Sequence, residues 1–142
     1  MQTHYIGSAD LLKNFILSCI SPPIPAGPPG PSETYREKRL DIFKKMVPHP
    51  EASYVCEAVG ESMVGARIQS GDFLLVDSSV IPVIGKLVVA TLEGGSTIKR
   101  LGLQGNRGIL LPENPAFQPI PINEDEGIKV EGVVTWVFFQ PS

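Results

Sequence analysis

A serine and a lysine carry the strongest chemical signal in this chain. Ser62 sits in Gly60-Glu61-Ser62-Met63, just after the alternating run 53–59 and ahead of Gly71-Asp72, which reads as a turn into the next strand. A serine beside a glycine at a strand end can present its hydroxyl close to backbone N–H groups, the donors that an oxyanion hole requires. Such short strings are common, and the same residue also fits a turn serine that satisfies local backbone groups. Lys99 lies in the apolar context Thr97-Ile98-Lys99-Arg100-Leu101. In a strand it faces away from Ile98 and Arg100, on the side of Thr97 and Leu101. A strand lysine is ordinarily a solvated edge residue, whereas a lysine acting as general base must be neutral. From an ordinary pKa of about 10.4, deprotonation near pH 7 costs roughly 4–5 kcal/mol. Burial in an apolar site lowers a lysine pKa by up to about 3–5 units, enough to make the base usable. Serine–lysine catalysis therefore demands a dry pocket around Lys99.

Other catalytic signatures are missing. The sequence has no Walker-type phosphate loop, no HExxH pair and no CxxC pair. His4 lies near the N-terminus and His49 stands between two prolines, where it reads as a surface turn residue; neither is placed by spacing to serve a triad. Cys19 and Cys56 have no second pair with which to build a metal site, and Cys56, alternating with Tyr54 and Ala58, reads as a small core residue. No cofactor or metal is expected. Lys and Arg number 12 against 15 Asp and Glu, a net charge of -3. A chain that gripped DNA by itself would show a basic face, so any link to nucleic acid runs through a protein partner. No apolar run approaches the roughly 20 residues needed to cross a bilayer, and 11–20 is interrupted by Lys13, Asn14 and Ser18 without a basic leader. The expectation is a cytoplasmic protein.

The elements that must position Ser62 and Lys99 are mostly strands. Residues 21–32, SPPIPAGPPGPS, hold six prolines. Proline fixes φ and lacks a backbone donor, so this stretch forms neither helix nor interior strand and should be extended and accessible. It reads either as a spacer or as a protease substrate, since cleavage needs an accessible backbone. A helix is predicted over 35–46 and stops at Val47-Pro48-His49-Pro50. Strands are predicted over 53–59, 73–76, 86–92, 96–103, 109–111, 117–122 and 128–139, about seven in all. Gly94-Gly95 turns one hairpin, and the hydrophobic last segment belongs in the middle of the sheet. The organisation is thus a flexible arm over 1–32 and one β-rich domain over 33–142.

Read together, these pieces resemble the UmuD/LexA family of self-cleaving serine–lysine proteins, and within it the UmuD-like branch. The resemblance rests on His49-Pro50-Glu51-Ala52-Ser53-Tyr54, Gly60-Glu61-Ser62-Met63, 71–77 (GDFLLVD), 85–90 (GKLVVA) and Thr97-Ile98-Lys99-Arg100-Leu101. It continues through Leu111-Pro112-Glu113-Asn114-Pro115 and Gly132-Val133-Val134, in consistent order over about 90 residues. The resemblance implies a mainly β, signal-peptidase-like catalytic domain. It implies Ser62 as nucleophile, Lys99 as neutral general base, and the backbone N–H groups of Glu61 and Ser62 as oxyanion donors. It also implies a substrate bond within the chain, Ala26-Gly27 in the arm. Pro25, Pro28 and Pro29 around that bond depart from the family pattern, as does 64–68, and the first 20 residues match nothing in it.

By the same resemblance the protein would be a homodimer, cleaved when a RecA filament on single-stranded DNA promotes the reaction. The shortened form would join a UmuC-like, Y-family translesion polymerase. A LexA-like repressor would need a helix-turn-helix domain ahead of the cut, and a signal peptidase would need a membrane anchor; neither is read here. The remaining alternative is a cleavage-deficient binding module that regulates a polymerase.

Overall fold

The computed structural model describes residues 1–19, 32–60, 63–92, 94–113, 116 and 118–141. Among them run strand β1 (Gln2–Ser8), helix α1 (Ala9–Cys19), helix α2 (Ser32–Met46), and strands β2 (Ser53–Val59), β3 (Phe73–Asp77), β4 (Leu87–Leu92), β5 (Gly95–Gln104), β6 (Arg107–Leu111), β7 (Ile120–Pro121) and β8 (Lys129–Phe138). The fold is mainly β and forms a single domain.

The strands pair in the order β1-β2-β3-β8-β4-β5-β6-β7, all antiparallel. A further pairing of Gln2 with Thr97 joins β1 to β5 and closes six of the strands into a ring. Closure removes the exposed ladder edges that an open sheet would leave. Register shifts between Leu75 and Val76 in β3, and between Val89 and Ala90 in β4, let the sheet curl around β8. β8 lies between β3 and β4, in the middle of the sheet, as its run of Val, Trp and Phe predicts.

Three apolar clusters fill the molecule. Met63, Ile68, Leu74, Val89 and Ile98 form one with Cys56, Ala58 and Val76. A second, Ala9, Ile16, Phe43, Val47, Val55 and Leu75, clamps both helices onto β2 and β3. The third gathers Val88, Ala90, Leu101, Leu110, Ile128 and Val133. Each fully buried side chain of this size contributes about 1.5–3 kcal/mol relative to exposure.

Two differences from the sequence-based expectation concern the N-terminal segment. Of the arm expected over 1–32, the described part forms a strand and a helix; the rest, with the proline-rich run up to Pro31, lies outside the described residues. There are therefore eight described strands rather than about seven. α1 forms because Ala9, Leu12 and Ile16 recur at helical spacing and bury one stripe against α2 and the sheet, with Asp10 in the first turn. The strand expected over 117–122 shrinks to Ile120–Pro121, since Pro119 and Pro121 cannot donate to a ladder.

Candidate catalytic site

Lys99 lies mid-way along β5, opposite Val88 of β4, and is 5% exposed. Among the described residues only Asp72 and Asp77 are other charged-type residues buried to this degree, so the solvated-edge reading of this lysine fails. Burial is the main cause that pulls its ammonium below the ordinary lysine range, and a hydrogen bond with the α-amino group of Met1 acts in the opposite direction. The Met1 amine is itself lowered to about 5, by burial first and then by repulsion from Lys99 and their hydrogen bond. Two amines in contact do not both hold a proton comfortably. Met1 is fixed there by its carbonyl, which accepts the N–H of Ile98 at 3.1 Å and the hydroxyl of Thr97.

Glu61 and Ser62 lie outside the described residues. Gly60 before them meets Met1, whose amine hydrogen-bonds Lys99. Met63 after them packs in the cluster of Ile98, whose side chain faces away from Lys99. Gly60 follows β2 directly, with φ at 110°, a region that favours glycine. A Cβ on it would sit 3.4 Å from the Met1 Cα, and its N–H reaches the hydroxyl of Ser70 at 3.3 Å. Met63 is fully buried and packs in the cluster that holds Ile98, the residue preceding Lys99. The Met63 carbonyl accepts the N–H groups of Ala66 at 3.0 Å and Ile68 at 3.3 Å.

A second brace ties the segment after Met63 to the lysine strand. Gly65 donates its N–H to the Glu113 carbonyl at 3.2 Å. A Cβ on Gly65 would fall 2.5 Å from that oxygen, so the approach requires glycine. The Glu113 carboxylate pairs with the guanidinium of Arg100, which also donates to the Gly85 carbonyl at 2.6 Å. Sequence reading assigned Arg100 and Glu113 no role of their own. Their proximity depends on the β5–β6 register, which sets Arg100 opposite Leu111.

His49 takes no part in this site. Its Nδ1 lies 2.8 Å from Oδ2 of the buried Asp77, which also accepts the N–H and hydroxyl of Ser79. Burial would raise the Asp77 pKa, but these hydrogen bonds, Ser79 before His49, outweigh it and hold the carboxyl below its usual value. Asp77 pairs with Ser53 at the start of β2, whereas Gly60 follows its far end. Seven residues of strand separate the two by roughly 20 Å. Cys56 is a free, buried thiol whose pKa burial pushes up to about 11, a core residue as expected. Ala26 and Gly27 lie outside the described residues.

The Peptidase S24-like family model matches residues 19–135. The chain belongs to the Peptidase S24-like family. Protein SamA of Salmonella typhimurium is 39% identical over 111 residues, covering 78% of this chain and 76% of that protein. Protein MucA of Escherichia coli is 39% identical over 113 residues, 79% of this chain and 77% of its own length. The LexA repressor of Acidithiobacillus ferrooxidans is 39% identical over 114 residues, 78% of this chain but 55% of the repressor. The chain is thus a UmuD-like member of the Peptidase S24-like group. Both the buried Lys99 and the Gly60–Met63 segment fall inside the matched region, while β1 falls before it. Among the described residues no helix is long and apolar enough to cross a membrane.

Proposed function

We propose that this chain is a self-cleaving serine peptidase in which Ser62 is the nucleophile and neutral Lys99 the general base. The observation that carries this reading is the burial of Lys99 together with the contact of Met1 both with the lysine and with Gly60, two residues before Ser62. Lys99 Nζ takes the proton of the Ser62 hydroxyl as its oxygen attacks the Ala26 carbonyl carbon. Negative charge develops on the carbonyl oxygen and is met by the backbone N–H groups of Glu61 and Ser62. Lys99 then returns the proton to the Gly27 nitrogen as the Ala26–Gly27 bond breaks. Water hydrolyses the resulting Ser62 ester and leaves the chain 27–142.

In this reading the shortened form is a homodimeric accessory subunit of a UmuC-like, error-prone translesion polymerase in the DNA-damage response, and a RecA–single-stranded DNA filament stimulates the cut. The similarity to MucA and LexA supports this role. Residues 1–32 then act as the regulatory arm and 33–142 as the peptidase and dimerisation domain.

The test is intact-mass analysis of the purified chain, incubated at pH 10 and also near neutrality with RecA, nucleotide and single-stranded DNA. A new species beginning at Gly27, formed by the wild type and not by Ser62→Ala, is the expected result. No cleavage under either condition would replace this reading with a binding module that regulates a polymerase without being cut.

A further inference from the structure

β1 is an added strand along β2 whose leading end, Met1 and Gln2, lies beside Lys99 and Thr97. It runs antiparallel along β2 from Ser8 opposite Tyr54 to Gln2 opposite Val59, with a register shift between Tyr5 and Gly7. At its leading end Gln2 pairs with Thr97, and the Met1 carbonyl takes the Ile98 N–H and the Thr97 hydroxyl. An extended peptide led to Lys99 would be held by the same kind of backbone ladder. β1 already occupies this edge of β2 and the backbone donor next to the lysine.

The strand is lightly held. None of its seven residues is buried, and Tyr5 and Ile6 are exposed at 69% and 45%. Its attachments are the backbone ladder, a tilted ring contact between Tyr5 and Tyr54 and, through Met1, packing against the central cluster, the Ile98 and Thr97 hydrogen bonds to the carbonyl and the amine's hydrogen bond with Lys99. By contrast Ala9 and Ile16 of α1 are buried in the second cluster. Elements with solvent-exposed hydrogen bonds and little apolar burial open at low free energy. β1 can therefore leave while α1 stays docked. It also precedes the region matched by the family model, which takes in β2 to β7 whole and most of β8, so β1 is an addition of this chain to the shared strands.

We propose that β1 is a displaceable gate: residues 1–8 of the chain occupy the strand position beside Lys99 and must vacate it before the cleavage segment can enter. This rests on the peptidase reading above, and the experiment separates the two. Deletion of residues 2–6 removes most of the gate. Acetylation of Lys99 by an amine-reactive ester, followed by mass spectrometry in a Ser62→Ala background, should quicken at least tenfold on deletion. Self-cleavage with Ser62 intact should quicken by a similar factor. Conversely, His4→Cys with Glu57→Cys, which face each other across β1 and β2, should lock the gate when oxidised. In a background of Cys19→Ser and Cys56→Ala, oxidation should slow cleavage at least tenfold and reduction should restore it. Unchanged acetylation and cleavage in the deletion, or an oxidised lock that cleaves at the reduced rate, overturn the gate while leaving the peptidase standing. Cleavage in no variant, with Lys99 acetylated faster in the deletion, overturns the peptidase reading while leaving β1 as a removable cover over Lys99.

Discussion

Arg100 and Glu113 join the strand of the candidate base to the segment that follows the candidate nucleophile. Arg100 is the residue after Lys99, and the Glu113 carboxylate that it holds belongs to the residue whose carbonyl receives the Gly65 N–H. Both side chains are partly exposed, so the pair itself contributes little to folding, roughly 0–1 kcal/mol. Its consequence lies in geometry. Arg100→Met should leave the urea midpoint nearly unchanged yet slow self-cleavage about tenfold, as about 1.4 kcal/mol of lost positioning would. Arg100→Lys should recover part of the rate, and the pH profile should keep its shape. An altered pH profile would mean that Arg100 acts on the Lys99 proton rather than on position.

Gly65 tests the same brace from the other side. A Cβ there meets backbone oxygen rather than a yielding side chain. Gly65→Ala should destabilise the fold by about 1–3 kcal/mol, the range for overpacking a tight contact. Thermal melting checks this, and a melting temperature equal to wild type would show that Glu113 yields freely.

Lys99 makes a signed claim about pH. Its folded pKa is lowered, chiefly by burial. Between that value and the unfolded one the unfolded chain binds more protons, so stability rises with pH across this window. Lys99→Met should flatten that slope and leave the protein at least as stable near neutrality. Self-cleavage should climb with pH as the lysine loses its proton, and Lys99→Met should not cleave at any pH. A profile flat from about pH 7 to 10 would remove lysine as the base.

Asp77 behaves in the opposite sense. Hydrogen bonds from Ser79 and His49 hold its carboxyl below 3.8, so the stability it contributes is present above that value and is lost as pH falls through its folded pKa. Asp77→Asn should cost about 1–3 kcal/mol at pH 7, since it weakens a buried polar network. Denaturant titration at pH 7 and pH 3 should show that difference shrinking in acid. At pH values where the variant stays folded its cleavage rate should match wild type, because the pair sits at the far end of β2 from Gly60. A large loss of rate would draw His49 into the chemistry.

Much of this arrangement is legible in the sequence because it follows from alternation and hydrophobicity. β2, β3, β4 and β5 appear within a residue or two of where their patterns place them, and β8 takes the central position that its composition demands. The face of Lys99 follows from period two, but its dryness does not, because burial depends on strands far away in sequence. β1 escaped because QTHYIGS has no buried face to impose a pattern and is held by backbone groups that every sequence shares. α1 did carry a signal, Ala9, Leu12 and Ile16, yet the neighbouring apolar residues Leu11 and Phe15, left exposed in the fold, blurred it. The Arg100–Glu113 contact needed a hairpin register that propensity does not fix.

The clamping of both helices into one cluster bears on what a cut would achieve. Ile16 near the end of α1 and Phe43 of α2 share a buried cluster, and Arg39 of α2 donates to the Leu17 carbonyl at 3.1 Å. Ala26 and Gly27 fall in the tether between these two docked helices. Severing that tether would nick the molecule without freeing either piece, since α1 would remain seated on β2 by contacts the cut does not touch. The fragment 1–26 would then depart at the rate at which α1 dissociates. What hydrolysis would change is the return: once detached, the fragment would have to find its seat from bulk solution instead of from the end of a short leash.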